Sequence, residues 1–188
     1  KLPKTFIEIG TQDYRESNTR FLLVNKNCDG YVIEGDSQAT KDIKSQRIYW
    51  KHNLTVKNKF IDKDNINDLI REMNVPKKVG LLSLDIDGVD YWVLKELTCL
   101  DPAIIICEYN SLFGAKKSIT VPYDKTFDRT KKHFSNLYYG ASINAFVDLM
   151  KSKKYFLLGT NTGGNNAFFM KNIFLKEINK IMKEKKIY

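Results

Sequence analysis

The sequence is poor in the residues that mark several common protein classes. Its three cysteines, Cys28, Cys99 and Cys107, are widely spaced and form no CxxC pair, so neither a zinc site nor a disulfide framework is indicated. Four prolines and ten glycines in 188 residues exclude collagen-like and linker-dominated chains. No stretch approaches the roughly 20 apolar residues of a membrane helix. We therefore expect no membrane span and a reducing, cytoplasmic compartment.

The chain opens KLPKTFIEIG, where a basic start leads directly into a strand-like run without a signal peptide. A strand so near the first residue suggests excision from a longer protein. The 43% apolar content is too high for disorder and suits a single domain over residues 1–188.

Positive charge is in excess but is not concentrated on one segment. Lys and Arg total 31 against 22 Asp and Glu, which gives a net charge of +9. The densest basic group is Lys176–Lys186, and elsewhere lysines are scattered among acids. Such a pattern is typical of a solvated surface that attracts anionic ligands. A nucleic-acid partner is therefore a minor alternative, favoured only by charge.

Short apolar runs alternate with amphipathic stretches along the whole chain. The helical spacing of apolar residues within Ile66–Met73 and Ile143–Met150 predicts two helices. The seven strand-like runs are Thr5–Ile9, Gly30–Ile33, Leu54–Ile61, Gly80–Leu84, Ala103–Cys107, Tyr155–Leu158 and Ala167–Met170. Several runs are continuously apolar, as in strands buried on both faces. The alternation predicts an α/β fold with a mostly parallel sheet covered on both sides by helices.

The least regular stretch is Asn110–Gly140, which we call the lid segment. Irregular segments of about 30 residues in compact domains are usually functional or disordered. This one is too aromatic for plain disorder, and we expect an ordered lid or a wall of a substrate site. Tyr109, Tyr138 and Tyr139 are candidates to contact the substrate, because aromatic faces suit sugar rings. The alternative is that these tyrosines pack the lid against the next helix.

An acidic residue stands at or near the end of each of the first five runs. Ligands of open α/β sheets bind beyond the carboxyl ends of the strands, and acids there also serve as helix caps. Asp13 followed by Glu16 has the spacing of a capping box and predicts a helix start. Gly10 suits a tight turn against a ligand, and Glu34 is placed to accept both hydroxyls of an adenosine ribose. The five acids are Glu8, Glu34, Asp62, Asp85 and Glu108.

The segments FIEIGTQDYRESN, YVIEGD, LLSLDIDGVDYWVLKEL, CEYN and NNAFFMKN resemble class I S-adenosylmethionine-dependent methyltransferases, and within them the FkbM-like group. The resemblance implies a Rossmann-like three-layer sandwich whose seven-stranded sheet has its last strand antiparallel. It also implies S-adenosylmethionine as cofactor and methyl transfer to oxygen, often on sugars or glycans. The implied cofactor-binding residues are Glu8, Gly10, Thr11, Gln12, Asp13, Glu34, Asp62 and Asp85.

One departure from the family pattern lies in the first motif. The usual ExGxGxG would place glycines at positions 12 and 14, where this chain has Gln12 and Tyr14. A catalytically degenerate module within a larger enzyme is therefore an alternative to an active enzyme.

Methyl transfer to a hydroxyl needs a base or a metal, and the sequence offers both. Asp87 or His133 could take the proton beside Asp85, which the resemblance places near the sulfonium. Alternatively Asp87, Glu108 and Asn110, together with Asp85, offer hard oxygen ligands for Mg²⁺ or Mn²⁺. The leading expectation is an O-methyltransferase with a small-molecule or glycan acceptor, with the oligomeric state left open.

Overall fold

The computed structural model describes residues 1–184, in which seven strands form one sheet of order β3-β2-β1-β4-β5-β7-β6. The first five strands are parallel, and β7 runs antiparallel to both β5 and β6. The strands are β1 (Thr5–Ile9), β2 (Asp29–Glu34), β3 (Leu54–Asn58), β4 (Leu81–Leu84), β5 (Ile104–Glu108), β6 (Tyr155–Thr160) and β7 (Asn166–Lys171). This topology confirms the predicted Rossmann-like sheet with its last strand antiparallel.

Helices connect these strands in the order that the apolar pattern predicts. They are α1 (Arg20–Lys26), α2 (Ser37–Ser45), α3 (Arg47–Lys51), α4 (Ile66–Glu72), α5 (Asp90–Glu96), α6 (Arg129–Lys132), α7 (Ile143–Ser152) and α8 (Leu175–Glu184). Within residues 1–184, none of these helices has both the length and the apolar character needed to cross a membrane. Lys185 and Lys186 of the predicted basic tail lie outside the described residues.

Two apolar cores lie on opposite faces of the sheet. Neighbouring residues of β1 point to opposite sides, so that Phe6 belongs to one core and Ile7 to the other. Helices α4, α5 and α7 supply Leu69, Val93 and Phe146 to the larger core. Helices α1, α2 and α3 cover the other face over β1, β2 and β3. The sheet is thus the middle of three layers, which explains its continuously apolar strands.

Two local predictions differ from the structure. Strand β3 ends at Asn58 and not at Ile61, because its neighbour β2 ends at Glu34 and offers no backbone partner beyond that point. The capping-box prediction at Asp13 is wrong, since the first helix begins at Arg20. Asp13 instead accepts the N–H of Arg15, and the left-handed backbone of Tyr14, at φ 64°, excludes a helix there.

The lid segment is tied to the body at several points. The buried side chain of Asn110 donates to the carbonyls of Leu137 and Tyr139, both at 3.0 Å. The indole N–H of Trp92 on α5 donates to the carbonyl of Val121 at 2.9 Å. A turn at Ser111–Phe113 and helix α6 are its only regular elements within the described chain. These contacts hold the segment over the carboxyl edge of the sheet.

Candidate active site

A cleft of about 990 Å³ lies at the carboxyl edge of the sheet. Its position follows from the order of the strands. From β1 the chain adds β2 and β3 in one direction, and from β4 it adds β5 in the other, which leaves a crevice beyond the ends of β1 and β4. The acids that stand at five strand ends all line it: Glu8, Glu34, Asp62, Asp85 and Glu108. Side chains far apart in sequence therefore meet in one site.

Glu8 holds the loop that follows β1, which we call the first loop (residues 10–19). Its buried carboxylate accepts the N–H groups of Asn18 at 3.0 Å and Thr19 at 3.2 Å, and also the Thr19 hydroxyl. Burial raises the pKa of Glu8, although the hydrogen bonds from Thr19 and Asn18 oppose that rise. The residue thus fixes the far end of the first loop at the cleft wall.

Gly10 allows the first loop to pass against β4. Its φ is 75°, and a Cβ atom at this position would lie 1.7 Å from the carbonyl oxygen of Asp85. No other residue fits without moving the backbone of one of the two strands. The predicted role of Gly10 as a tight turn at the site is consistent with this geometry.

The carboxylate of Glu34 organises the start of the first loop. One oxygen accepts the N–H groups of Thr11 at 2.9 Å and Gln12 at 2.8 Å. Within the described part of the chain, the other oxygen accepts one N–H, that of Asp36, at 2.8 Å, which leaves it an open lone pair. Glu34 therefore couples the ends of β1 and β2, and it retains acceptor capacity towards the cleft.

The two positions that lack the motif glycines keep a glycine-type backbone. Gln12 has φ 49° and Tyr14 has φ 64°, both in the left-handed region that glycine prefers. The side chain of Gln12 is exposed at the cleft rim. Tyr14 is fully buried in the core under α1–α3, and its hydroxyl pairs with that of Thr19 at 2.9 Å. The loop path survives the loss of both glycines because Glu8, Glu34 and the Tyr14 ring hold it.

Asp62 and Phe60 form the end of the cleft beyond β3. The Asp62 carboxylate accepts the N–H groups of Asp64 at 2.8 Å and Asn65 at 2.9 Å, and its other oxygen pairs with Lys125 of the lid at 3.0 Å. Burial opposes ionisation of Asp62, but the hydrogen bonds from Lys125 and the backbone outweigh it and lower its pKa. Phe60 packs its ring against Gly35 and is 78% exposed, an open platform that sequence reasoning missed.

Three acids meet at the ends of β4 and β5, and we call Asp85, Asp87 and Glu108 the acid cluster. One carboxylate oxygen from each lies within 4.8 Å of the others. Asp87 has φ 59°, a strained conformation that turns it back towards Asp85. Beneath them, buried Asp90 accepts the N–H groups of Ile86 at 2.9 Å and Gly88 at 3.0 Å. Asp90 thereby fixes the turn that carries Asp85 and Asp87.

Burial and mutual repulsion hold protons on these carboxyls. Burial, and then the charge of Asp87, raise the pKa of Asp85 to about 6. Burial, and then the charges of Asp85, Asp90 and Asp87, raise the pKa of Glu108 to about 9. Burial and Asp85 raise the pKa of Asp90 to about 7. At neutral pH the acid cluster therefore holds at least one proton, on Glu108, because repulsion prevents its carboxyls from all ionising.

Two buried acceptor atoms beside this cluster have no partner among residues 1–184. They are one carboxylate oxygen of Glu108 and the side-chain oxygen of Asn166. Glu108 on β5 pairs with Asn166 on β7, and both residues line the cleft. Buried acceptors without partners are costly, and a cation or a hydroxyl would satisfy them.

Asn110 was predicted as a metal ligand, and the structure places it elsewhere. Its side-chain oxygen accepts the N–H of Leu112 at 3.0 Å, while its amide nitrogen donates to the lid carbonyls. All its hydrogen-bonding atoms thus serve the lid. The ligand group that the structure brings together consists of Asp85, Asp87 and Glu108.

The lid supplies a residue that the sequence patterns did not single out. The guanidinium of Arg129 donates to Asp87 and lies 4.1 Å from the centre of the Tyr139 ring. Phe127 packs against Gly88, where a Cβ atom would lie 2.2 Å from its ring. No local signal marks Arg129, since its contact spans 42 residues.

The other predicted residues are distributed around the lid. His133 is exposed, bonds Ser135 at 2.7 Å and does not line the cleft. Tyr109 is 7% exposed and belongs to the larger core. Tyr138 is exposed and stacks on Phe127, with ring centres 6.5 Å apart. Tyr138 thus contacts a residue that lines the cleft, Phe127, whereas Tyr139 packs against Arg129, which does not line it.

Replacing each left-handed residue by glycine separates backbone strain from packing. Gln12→Gly should leave the free energy of unfolding within about 1 kcal/mol of the wild type, because relief of strain offsets the added freedom of the unfolded chain. Tyr14→Gly should cost roughly 3–5 kcal/mol, because it empties a buried site. Urea unfolding checks both. A large loss in Gln12→Gly would contradict the account of the first loop.

Glu108 makes stability dependent on pH. Its pKa is raised in the folded state, so its contribution is present below the pKa of an ordinary carboxyl and is lost as pH rises towards about 9. Glu108→Gln should therefore unfold at a progressively higher temperature than the wild type as pH increases from about 5 to about 9. The exposed Glu16→Gln is the control, and chelator removes adventitious cations. A constant difference across this range would show that Glu108 does not carry the effect.

No family model and no curated protein matches the sequence. An O-methyltransferase from Bacillus cereus, solved with S-adenosylhomocysteine, is 14% identical with a TM-score of 0.52, covering 89% of this chain and 72% of that one. A protein assigned as a caffeoyl-CoA O-methyltransferase from Staphylococcus aureus is 13% identical with a TM-score of 0.57, covering 89% and 75%.

The fibrillarin pre-rRNA processing protein of Methanococcus jannaschii is 9% identical with a TM-score of 0.55, covering 92% of this chain and 68% of that one. The structural neighbours are class I S-adenosylmethionine-dependent methyltransferases. At these identities the likeness concerns the fold. The chain therefore has the Rossmann-like fold of class I methyltransferases, as its sequence motifs predict.

Proposed function

We propose that the chain is an S-adenosylmethionine-dependent O-methyltransferase that acts on a sugar, a glycan or a related small molecule. The observation that carries this proposal is the convergence of five acidic strand ends and the first loop on one cleft. S-adenosylhomocysteine in the structure of the Bacillus cereus neighbour supports the choice of cofactor. The FkbM-like motifs support the choice of acceptor, and we assign the whole chain, residues 1–188, to one catalytic domain.

The cleft offers a separate surface to each part of the cofactor. Glu34 would accept the ribose hydroxyls through the oxygen that accepts a single N–H. The exposed Phe60 ring, near Asp62, would stack on the adenine, since aromatic faces stack on flat heterocycles. Gly10–Asp13 would hold the methionine part, where Gly10 lies against the backbone of Asp85. These residues would place the methyl donor on the side of the cleft that holds the acid cluster.

Methyl transfer is an in-line displacement at the sulfonium carbon. The carbon–sulfur bond breaks as the carbon–oxygen bond forms, so the reacting atoms need alignment at about 3–3.5 Å. The acceptor hydroxyl loses its proton to a carboxylate, and Asp85 and Asp87 line the cleft where that proton must go. We assign them the base role in preference to His133, which lies outside the cleft lining.

The acid cluster also fits a divalent cation. Asp85, Asp87 and Glu108 offer three carboxylates within reach of one ion, and the partnerless oxygen of Glu108 would gain a partner. Oxygen ligands of this kind suit Mg²⁺ or Mn²⁺. When bound there, such an ion lowers the pKa of a coordinated hydroxyl. The three carboxylates would hold the ion.

Removing the Glu34 carboxylate tests the cofactor site. Glu34→Ala should weaken binding of S-adenosylhomocysteine by about tenfold or more, because the ribose loses an ionic acceptor and the first loop loses its anchor. Titration calorimetry measures the affinity. Asp36→Ala is the matched control, since its carboxylate caps α2 at Ala39 and does not line the cleft. Unchanged affinity in Glu34→Ala would place the cofactor elsewhere.

Chelation tests the metal. Formation of S-adenosylhomocysteine with sugar acceptors should stop in chelator and return with Mn²⁺ or Mg²⁺, because the acid cluster then regains its cation. Glu108→Gln should lose this response. Full turnover in chelator would instead leave Asp85 and Asp87 as the sole bases and remove the metal from the proposal.

A further inference from the structure

Arg129 already neutralises part of the acid cluster. Its guanidinium donates to the exposed Asp87, the most accessible of the three acids, and its charge also acts on Asp85 and Glu108. On its other side Arg129 is held by the lid, through the carbonyl of Asn136 at 3.2 Å and the face of Tyr139. The lid thus places the Arg129 guanidinium on Asp87, a carboxylate that the proposed metal site also uses.

The neutralisation by Arg129 is incomplete. Glu108 is only 7% exposed. One of its oxygens has no hydrogen-bond partner within the described chain. The oxygen of Asn166, on the paired strand, is likewise without a partner. Arg129 donates to neither of these two atoms, although its charge acts on Glu108, whereas a divalent ion coordinated by all three acids would bring a cation directly to Glu108.

We propose that Arg129 and a divalent cation compete for the acid cluster, so that the metal binds only when the lid withdraws its guanidinium. The inference rests on the metal part of the proposed function and adds its regulation. Arg129 occupies one oxygen of Asp87, and the guanidinium would repel a metal ion at the other oxygen. Lid closure and metal loading are therefore alternative states of the same site.

Arg129 can leave the acid cluster together with the lid. The contacts of Arg129 with Asn136 and Tyr139 lie within the lid, so the guanidinium keeps them when the lid departs. On this side the lid contacts the body through the ion pair with Asp87, the packing of Phe127 on Gly88 and the hydrogen bond from the N–H of Gly140 to the carbonyl of Gly88 at 3.0 Å. The first two of these contacts must break when Arg129 leaves Asp87. Asp87 is 59% exposed at its side chain, and ion pairs of such exposed groups are weak. A divalent ion can therefore displace Arg129.

Calorimetric titration with Mn²⁺ tests the competition directly. Arg129→Gln should bind Mn²⁺ about tenfold or more tightly than the wild type, because Asp87 becomes free without loss of a ligand. Lys132→Gln is the matched control, since it removes a lid charge that pairs with Asp124 and not with the cluster. The double variant Arg129→Gln with Asp87→Asn should lose this tighter Mn²⁺ binding, because the Asp87 carboxylate is then missing.

A second measurement follows the lid and does not depend on activity. Mg²⁺ should accelerate tryptic cleavage at Lys125, Lys131 and Lys132 of the wild type, because it displaces the lid. Equal Mn²⁺ affinity in wild type and Arg129→Gln, or protection of the lid by Mg²⁺, would overturn the competition. Absence of Mn²⁺ binding in both proteins would overturn the metal site as well. Neither result bears on the proposed cofactor site, because binding of S-adenosylhomocysteine tests that site separately.

Discussion

The rest of the site depends on one electrostatic constraint, the convergence of carboxylates at the carboxyl edge of a parallel sheet. Such charges repel one another and lose hydration, so each needs donors or cations nearby. Glu8 and Glu34 obtain backbone N–H groups from the first loop, and Asp62 obtains the start of α4 together with Lys125. Among residues 1–184, one oxygen of Glu108 has no such partner. Repulsion among the carboxyls is therefore left unrelieved at the acid cluster, where the proposed chemistry takes place.

The same constraint explains why the lid lies where it does. Two of its cations pair with acids of the body, Lys125 with Asp62 and Arg129 with Asp87, and these acids stand at opposite ends of the cleft. Phe127 fills the space above Gly88 between them. The exposed members of these two pairs are Lys125 and Asp87, and a ligand that binds either acid competes with the lid cation. Ligands that bind Asp62 or Asp87 therefore weaken a contact of the lid as well as occupy the site.

Much of the fold could be predicted from sequence because its signals are local. Continuous apolar runs marked the strands, helical spacing marked α4 and α7, and the acids at strand ends marked the cleft. The start of α1 was wrong because the Asp13 spacing resembles a cap, whereas the buried ring of Tyr14 sets the backbone. The roles of Asn110 and Arg129 depend on partners 27 and 42 residues away, and no spacing rule reaches that far. Because the motif glycines are absent at Gln12 and Tyr14, the sequence did not predict that both residues keep a left-handed backbone.

The central claim is that this cleft binds S-adenosylmethionine although two motif glycines are absent. Thermal unfolding with and without S-adenosylhomocysteine tests it most directly. A ligand at about 100 times its Kd stabilises the folded state by about 2.7 kcal/mol, and a domain of this size gains roughly 2–4 °C per kcal/mol. We predict an increase of about 5–10 °C in the unfolding temperature. An unchanged unfolding temperature at saturating concentrations would contradict the account and favour a degenerate module.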